Sequence, residues 1–278
     1  MTKAFLPGVA RKEGHPPPAG ANEDGGEVTL SGRTPGKKPS KNLGGPGRLI
    51  LFTLLIFLLS QIIAAFIAEL GLAVIHPGSK QSLNDTISGQ FAFILLAEGL
   101  AAWLVFWLVR RRGVSLGTIG LGRRPQISDL YKALLGFGVF YILLIIASLL
   151  VNNLSPELVN QKQNIGFNNI RNSTENVLAF VSLVILPPLG EEILVRGYLY
   201  SGLRRVWKFM PALVVTSLFF GVAHLEFGTG TPLVWAAAID TFLLSVVLVY
   251  LREKTGALYA SMLVHMLNNL IAFLVVIK

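Results

Sequence analysis

After residue 48 the chain alternates between long apolar runs and short polar connections. Seven runs reach or approach the roughly 20 residues that a helix needs to cross the hydrocarbon core of a bilayer, and they cover residues 49–74, 91–109, 131–151, 177–206, 211–229, 232–251 and 257–277. Because a lipid-exposed backbone must satisfy its own hydrogen bonds, such runs predict helices. The pattern therefore predicts an all-α fold, a polytopic transmembrane helical bundle of about seven spans over residues 48–278.

Two segments depart from this pattern. Residues 1–47 are basic and rich in Pro and Gly, and they lack aliphatic runs. Such a segment cannot bury enough apolar surface to offset its ordering entropy, so we expect a disordered cytoplasmic tail. The fourth run is longer than one span and contains Pro187-Pro188. Proline removes a backbone donor and clashes with the preceding turn, which predicts a kink or break there.

Composition excludes several classes of protein. The chain is 53% hydrophobic and only 14% charged, whereas a soluble domain carries about 25% charged residues. It has no cysteine, which excludes disulfides, thiolate metal sites and a cysteine nucleophile.

The net charge of +9 is a topology signal. Basic residues cluster before the first run and in the second, fourth and sixth connections, and the other connections hold few. By the positive-inside rule, seven spans with the N-terminus in the cytoplasm place every cluster inside. We therefore expect the lipid bilayer and not nucleic acid as the partner of this charge. The plain Lys/Arg pattern and the basic tail fit a bacterial plasma membrane at least as well as an endoplasmic one, and we expect the bacterial membrane.

Carboxylates at membrane depth are costly and mark candidate functional sites. Glu69 and Glu98 stand alone on the first two runs and are interpreted as capping or interface groups near a helix end. Asp240 sits deeper in its run, where it could pair across helices or support a site indirectly.

The sequence Glu191-Glu192-Ile-Leu-Val-Arg196 holds the densest signal. Glu192 and Arg196 are four residues apart, so they share a helix face and can form a neutralising ion pair. Glu191 points about 100° away around the helix and is left without that partner. An unpaired carboxylate facing the bundle suits a group that must take and return protons, although it could also only bind a neighbouring helix.

Two later runs carry the other candidates. Four-residue spacing puts Phe220 on the face of His224, and it aligns Ser261, His265 and Asn269 along one face of the last helix. Imidazole and carboxylate together can bind and deprotonate water, and an amide or imidazole N–H can stabilise an oxyanion. Peptide hydrolysis needs both functions.

The ordered trio EExxxR, FxxxH and HxxxN, each on a predicted span, resembles the CPBP family of intramembrane proteases. That family includes the eukaryotic CAAX prenyl proteases (the Ras-converting enzymes) and bacterial homologues linked to bacteriocin processing and immunity, and we expect a bacterial-type member. The resemblance covers about residues 177–277. It divides the bundle into N-terminal spans, 48–176, and a catalytic core, 177–278.

The resemblance implies a role for each matching residue in a glutamate-dependent endopeptidase. Glu191 would activate the hydrolytic water, and His224 would help to hold it. His265 and Asn269 would stabilise the oxyanion, while Glu192, Arg196 and Phe220 would support the site. Ser261 is interpreted as packing behind it. The implied substrate is a membrane-embedded or lipidated peptide, with a prenylated CAAX tail as the eukaryotic precedent.

A metal is the alternative chemistry for the same residues. His224, His265 and Glu191 could form a three-ligand zinc site with an open position. No HExxH motif is present, so we favour a site with no metal and no cofactor.

Two other functions compete with proteolysis. A membrane scaffold or bacteriocin-immunity protein could keep the fold without cleaving anything. A proton-coupled transporter could use the intramembrane acids, but it would call for broken helices in two corresponding halves, and only one run is interrupted by proline.

Overall fold

A computed structural model describes residues 43–78, 82–155, 167, 170–225 and 235–276. Helices hold 82% of these described residues and no strand occurs among them, which confirms the predicted all-α membrane bundle. Residues 1–42 of the predicted tail, the middle of connection 152–176 and connection 230–231 lie outside the described residues.

Each of the seven predicted runs corresponds to a helix. The helices are α1 (Pro46–Ile75), α2 (Ile87–Arg111), α3 (Ile127–Leu154), α4 (Ser173–Arg204), α5 (Phe209–Ala223), α6 (Trp235–Thr255) and α7 (Tyr259–Val276). Five of them, α1 to α4 and α6, are long and apolar enough to cross a membrane. The chain is therefore an integral membrane protein. α5 is shorter, since its 15 residues extend only about 22 Å.

The predicted end of the fifth run at residue 229 is wrong, because α5 ends at Ala223. The last turn tightens: the His224 N–H bonds the Gly221 carbonyl at 3.1 Å. The Phe220 carbonyl, which would accept that N–H in a regular α-helix, instead accepts from the His224 imidazole Nδ1 at 2.8 Å. The side chain of His224 thus caps the helix that carries it.

Of the kink or break predicted at Pro187-Pro188, the break is not found, because α4 stays helical through both prolines. The hydrogen bonding instead widens to the π-helical pattern over Val181–Ile185, where the Leu186 N–H bonds the Val181 carbonyl. A second π-helical segment covers Glu192–Tyr200. Wide turns of this kind accommodate local misfit within a helix and are frequent at functional sites.

α4 and α6 form the interior of the bundle. Buried residues make up 44% and 50% of their apolar windows, against 11% in α3. α4 packs against α1, α2, α5 and α7, and α6 packs against α3, α5 and α7. The exposed surfaces of α1 and α3 are apolar, with Phe66 and Leu135 among their exposed side chains, as expected of helices that face lipid.

The connection between α2 and α3 is tied to the ends of three helices. The Arg252 guanidinium of α6 donates to the Thr118 carbonyl at 3.1 Å and to the Ser201 hydroxyl of α4 at 3.0 Å. Gly120 has a φ of +88° and packs against that guanidinium, so a side chain there would be both strained and blocked. The Leu258 N–H bonds the Gly120 carbonyl just before α7.

The cysteine-free chain allows a direct test of the predicted orientation. Ser88 and Ser115 are exposed at opposite ends of α2: Ser88 is near its start, and Ser115 lies shortly after its last residue. We expect Ser88→Cys to react with a membrane-impermeant maleimide in intact cells, and Ser115→Cys to react only after permeabilisation. The opposite labelling pattern would place the N-terminus outside.

Candidate active site

The buried ion pair predicted from the sequence is present on α4. Arg196 Nη1 lies 2.8 Å from Glu192 Oε1, and both side chains are fully buried. The Arg196 guanidinium also stacks over the Phe220 ring of α5, 4.2 Å from its centroid. Attraction to the ring quadrupole adds to the ion pair. Two helices are thereby joined around one charge.

Glu191 faces away from this pair. Its carboxylate Oε2 lies 3.7 Å from His265 Nε2 of α7, beyond direct hydrogen-bonding distance. Oε2 is buried and has no hydrogen-bond partner among the described residues, while the side chain as a whole stays 21% exposed. The sequence expectation that Glu191 lacks the Arg196 partner agrees with this geometry.

His265 lies between the two glutamates. Its Nδ1 is 3.5 Å from Glu192 Oε1, and its Nε2 faces Glu191 on the other side of the ring. Phe220 packs edge-on against the imidazole, with centroids 5.7 Å apart. A carboxylate oxygen only accepts and a neutral imidazole carries one N–H, so the neutral ring can donate to only one of the two glutamates.

His224 has a defined tautomer when it is neutral. A carbonyl oxygen only accepts, so the Nδ1 that bonds the Phe220 carbonyl must carry the proton. The other ring nitrogen, Nε2, then has a free lone pair and can accept a hydrogen bond from water. The Phe220 ring also packs on the imidazole, 4.5 Å between centroids, and limits its rotation.

The Asn269 side chain is held by a backbone carbonyl that the two prolines of α4 leave without a donor. The Leu183 carbonyl would accept from residue 187 in an α-helix or from residue 188 in a π-helix, and both are proline. The Asn269 side-chain amide donates to this carbonyl at 2.9 Å instead. An amide NH₂ has two donors, so one remains for another acceptor.

One cavity joins the four residues predicted to be catalytic. It has a volume of about 290 Å³, and Glu191, His224, His265 and Asn269 all line it. Glu192 and Arg196 are fully buried and do not line it, so their supporting roles stay a prediction. Sequence reasoning missed Thr241, Asn268 and Pro187, which line the cavity as well. The i+3 spacing of Asn268 from His265 was the available signal for that residue.

The remaining intramembrane acids lie elsewhere. Asp240 is exposed and does not line the cavity, although its neighbour Thr241 does. Glu69 accepts from the Leu83 N–H at 3.1 Å, in agreement with a capping role. Glu98 lies in the middle of α2, not near a helix end. It packs against Gly190 of α4, the residue that precedes Glu191.

A metal site is not evident from the grouping of ligands. Within residues 43–78, 82–155, 167, 170–225 and 235–276, no three His, Cys, Asp or Glu side chains are grouped so that they could hold an ion. The metal-free interpretation stays a prediction.

Comparison with known proteins points to the same part of the chain. A family model described as type II CAAX prenyl endopeptidase Rce1-like matches residues 173–271, the range that holds every predicted site residue. No curated protein and no solved structure was found to match. The resemblance seen in the three motifs is thereby confirmed.

The contact between Gly190 and Glu98 predicts a steric effect. A methyl group at residue 190 would overlap the Glu98 carboxylate and lie 2.9 Å from its Cβ, so rotation of the Glu98 side chain cannot clear it. We expect Gly190→Ala to cost about 1–3 kcal/mol, measured as a lower melting temperature in detergent.

Gly99→Ala is the matched control, because a Cβ at that position of α2 meets nothing within 4 Å. It should be neutral or stabilising. Adding Glu98→Ala to Gly190→Ala should restore part of the loss. Equal melting temperatures for Gly190→Ala and Gly99→Ala would contradict the predicted overlap.

The buried ion pair predicts that removing one partner costs more stability than replacing both partners. Glu192→Gln leaves the Arg196 charge buried without compensation, and we expect a loss of about 3–5 kcal/mol. Replacing both residues, by Glu192→Leu with Arg196→Met, should recover most of the stability. Melting temperatures of the purified variants measure both effects.

Glu253→Gln is the internal control for this comparison. Its ion pair with Arg204 is partly exposed, so its removal should cost only about 1 kcal/mol. Similar losses for Glu192→Gln and Glu253→Gln would show that burial does not set the energy of the pair.

Proposed function

We propose that the chain is an intramembrane, glutamate-dependent endopeptidase, and we start from the match of residues 173–271 to a family model described as type II CAAX prenyl endopeptidase Rce1-like. The observation that carries the proposal is the convergence of Glu191, His224, His265 and Asn269 on one cavity. They come from three helices, and their side chains supply a base, two imidazoles and an amide.

Glu191 is proposed as the general base. Its carboxylate is free of the Arg196 ion pair and reaches the cavity, so it can take a proton from a water molecule as the water oxygen attacks the peptide carbonyl carbon. His224 would orient the same water through the lone pair of Nε2, because its Nδ1 proton is committed to the Phe220 carbonyl.

His265 and Asn269 are proposed to stabilise the oxyanion. His265 Nε2 faces the cavity beside Glu191, and the amide of Asn269 keeps one N–H beyond the one that bonds Leu183. Donors that are held in place before the reaction stabilise developing charge without reorganisation. Glu191 would then return its proton to the leaving amine nitrogen as the carbon–nitrogen bond breaks.

Glu192, Arg196 and Phe220 are proposed to hold this arrangement and not to touch substrate. The ion pair neutralises the second glutamate, and the Phe220 ring contacts both imidazoles. We also propose that the reaction needs no metal. Each step above uses only side chains and water.

The proposed substrate is a membrane-associated or lipidated peptide. The matching family model is described as a CAAX prenyl endopeptidase, and the cavity lies on helices of an integral membrane protein. We further propose a bacterial plasma membrane with the N-terminus in the cytoplasm, on the distribution of Lys and Arg.

Glu191→Gln tests the proposed base, because it keeps the shape of the side chain and removes its basicity. General-base catalysis contributes about 10²–10⁴-fold, so we expect cleavage of a prenylated CAAX peptide to fall by at least about a hundredfold. Purified protein in lipid nanodiscs, with products separated by mass spectrometry, gives the rate. Membrane proteomics on the same variant should reveal accumulating natural substrates.

Asp240→Asn is the matched control, since it also neutralises an intramembrane carboxylate but lies outside the cavity. It should retain wild-type cleavage, as should wild type dialysed against a chelator. Cleavage that survives Glu191→Gln would refute the mechanism. If the wild type cleaves nothing, and both it and Glu191→Gln protect cells against a toxin, the chain is a non-proteolytic immunity protein.

A further inference from the structure

A second cavity, remote from the glutamates, lies between α3, α5 and α6. Its volume is about 600 Å³, within the range of about 300–1,000 Å³ that small-molecule sites occupy. Its lining is apolar apart from one tyrosine and two lysines, Lys132 of α3 and Lys254 of α6. We call this cavity the lysine groove.

The two lysines lie at one end of the lysine groove. Lys132 is in the second turn of α3, Lys254 is the penultimate residue of α6, and Phe209 at the start of α5 lines the same end. From Lys132 to Leu143, the groove follows α3 for about 16 Å. Half of the hydrocarbon core is about 15 Å thick, so the groove extends through one leaflet.

The charges around the lysines leave both of them able to bind an anion. Asp129, one turn before Lys132, is held by two hydrogen bonds from the Arg123 guanidinium. Glu253 is engaged by Tyr200 and Arg204. Lys132 and Lys254 are both exposed, and Lys254 lies over the Tyr250 ring.

We propose that the lysine groove binds an anionic phospholipid. Its phosphate would lie between Lys132 and Lys254, and one acyl chain would follow the apolar wall past Val139 toward Leu143. Ammonium groups bind phosphate as point charges. Basic pockets between helices on the cytoplasmic side of a membrane protein recognise such headgroups, and this is the side that the positive-inside rule assigns to the lysines.

Native mass spectrometry of the full-length protein tests the proposal with phosphatidylglycerol and phosphatidylcholine of identical chains. We expect saturable binding of phosphatidylglycerol and weaker binding of phosphatidylcholine. The double variant Lys132→Gln with Lys254→Gln should weaken phosphatidylglycerol binding roughly thirtyfold, from the interaction of two lysines with an anionic lipid. The binding needs no peptidase activity, so it stands or falls separately from the proposed function.

Two matched controls separate the groove from general surface charge. Arg110→Gln with Arg124→Gln removes the same charge at the same end of the bundle, outside the groove, and should change affinity little. Val139→Trp fills the apolar wall and should weaken binding, whereas Leu134→Trp on the exposed face of α3 should not.

Several results would overturn the proposal. Equal losses in the two double variants would mean that binding is nonspecific. Equal affinity for the two lipids would show that the headgroup is not recognised. An unchanged affinity in Val139→Trp would show that the acyl chain does not lie in the lysine groove. If a prenylated peptide displaces the lipid while the lysine variants bind phosphatidylglycerol normally, the groove holds the substrate's tail instead.

Discussion

The arrangement of the site depends on one buried charge, the guanidinium of Arg196. An unpaired ion inside a membrane protein costs several kcal/mol, so Glu192 must meet it, and the Phe220 ring covers its other side. These contacts fix the rotation of α4. Glu191 follows from that rotation, because adjacent residues point about 100° apart, and it faces the cavity that His265 and His224 also line. Neutralising one glutamate therefore directs the next one to the site.

A second constraint comes from the backbone of α4. Pro187 and Pro188 remove both N–H groups that could bond the Leu183 carbonyl, and a buried carbonyl without a partner is costly. Asn269 supplies the donor from α7. The prolines therefore do not break the helix, and they create a polar point of attachment on it. That attachment sets the height of α7 beside α4, and with it the position of His265 one turn earlier.

The sequence was sufficient to predict the helices and the helix faces on which the motif residues lie. Apolar length predicts a membrane helix well, and four-residue spacing correctly aligned Glu192 with Arg196 and His265 with Asn269. It was not sufficient where side chains replace backbone partners. The end of α5 depends on the His224 imidazole taking the Phe220 carbonyl, and the course of α4 depends on Asn269. Packing between helices was also hidden, so Glu98 gave no sign that it rests on Gly190.

Polar chemistry and apolar contact are kept apart within the same helices. α6 directs Thr241 into the polar cavity, and it directs Val246 and Val247, about one and a half turns further along, into the apolar groove. α5 directs Leu213 into the apolar groove, and His224, which follows its last residue, lines the polar cavity. A polar group that faces lipid alone is costly, so polar residues within a bilayer are stable when they face one another. The cavity meets this condition for the Glu191 carboxylate, the two imidazoles and the Asn269 amide together, while the exposed surfaces of α1 and α3 stay apolar. The proposed hydrolysis would depend on such a separation, because water would have to reach Glu191 without reaching the contacts that hold the helices in lipid.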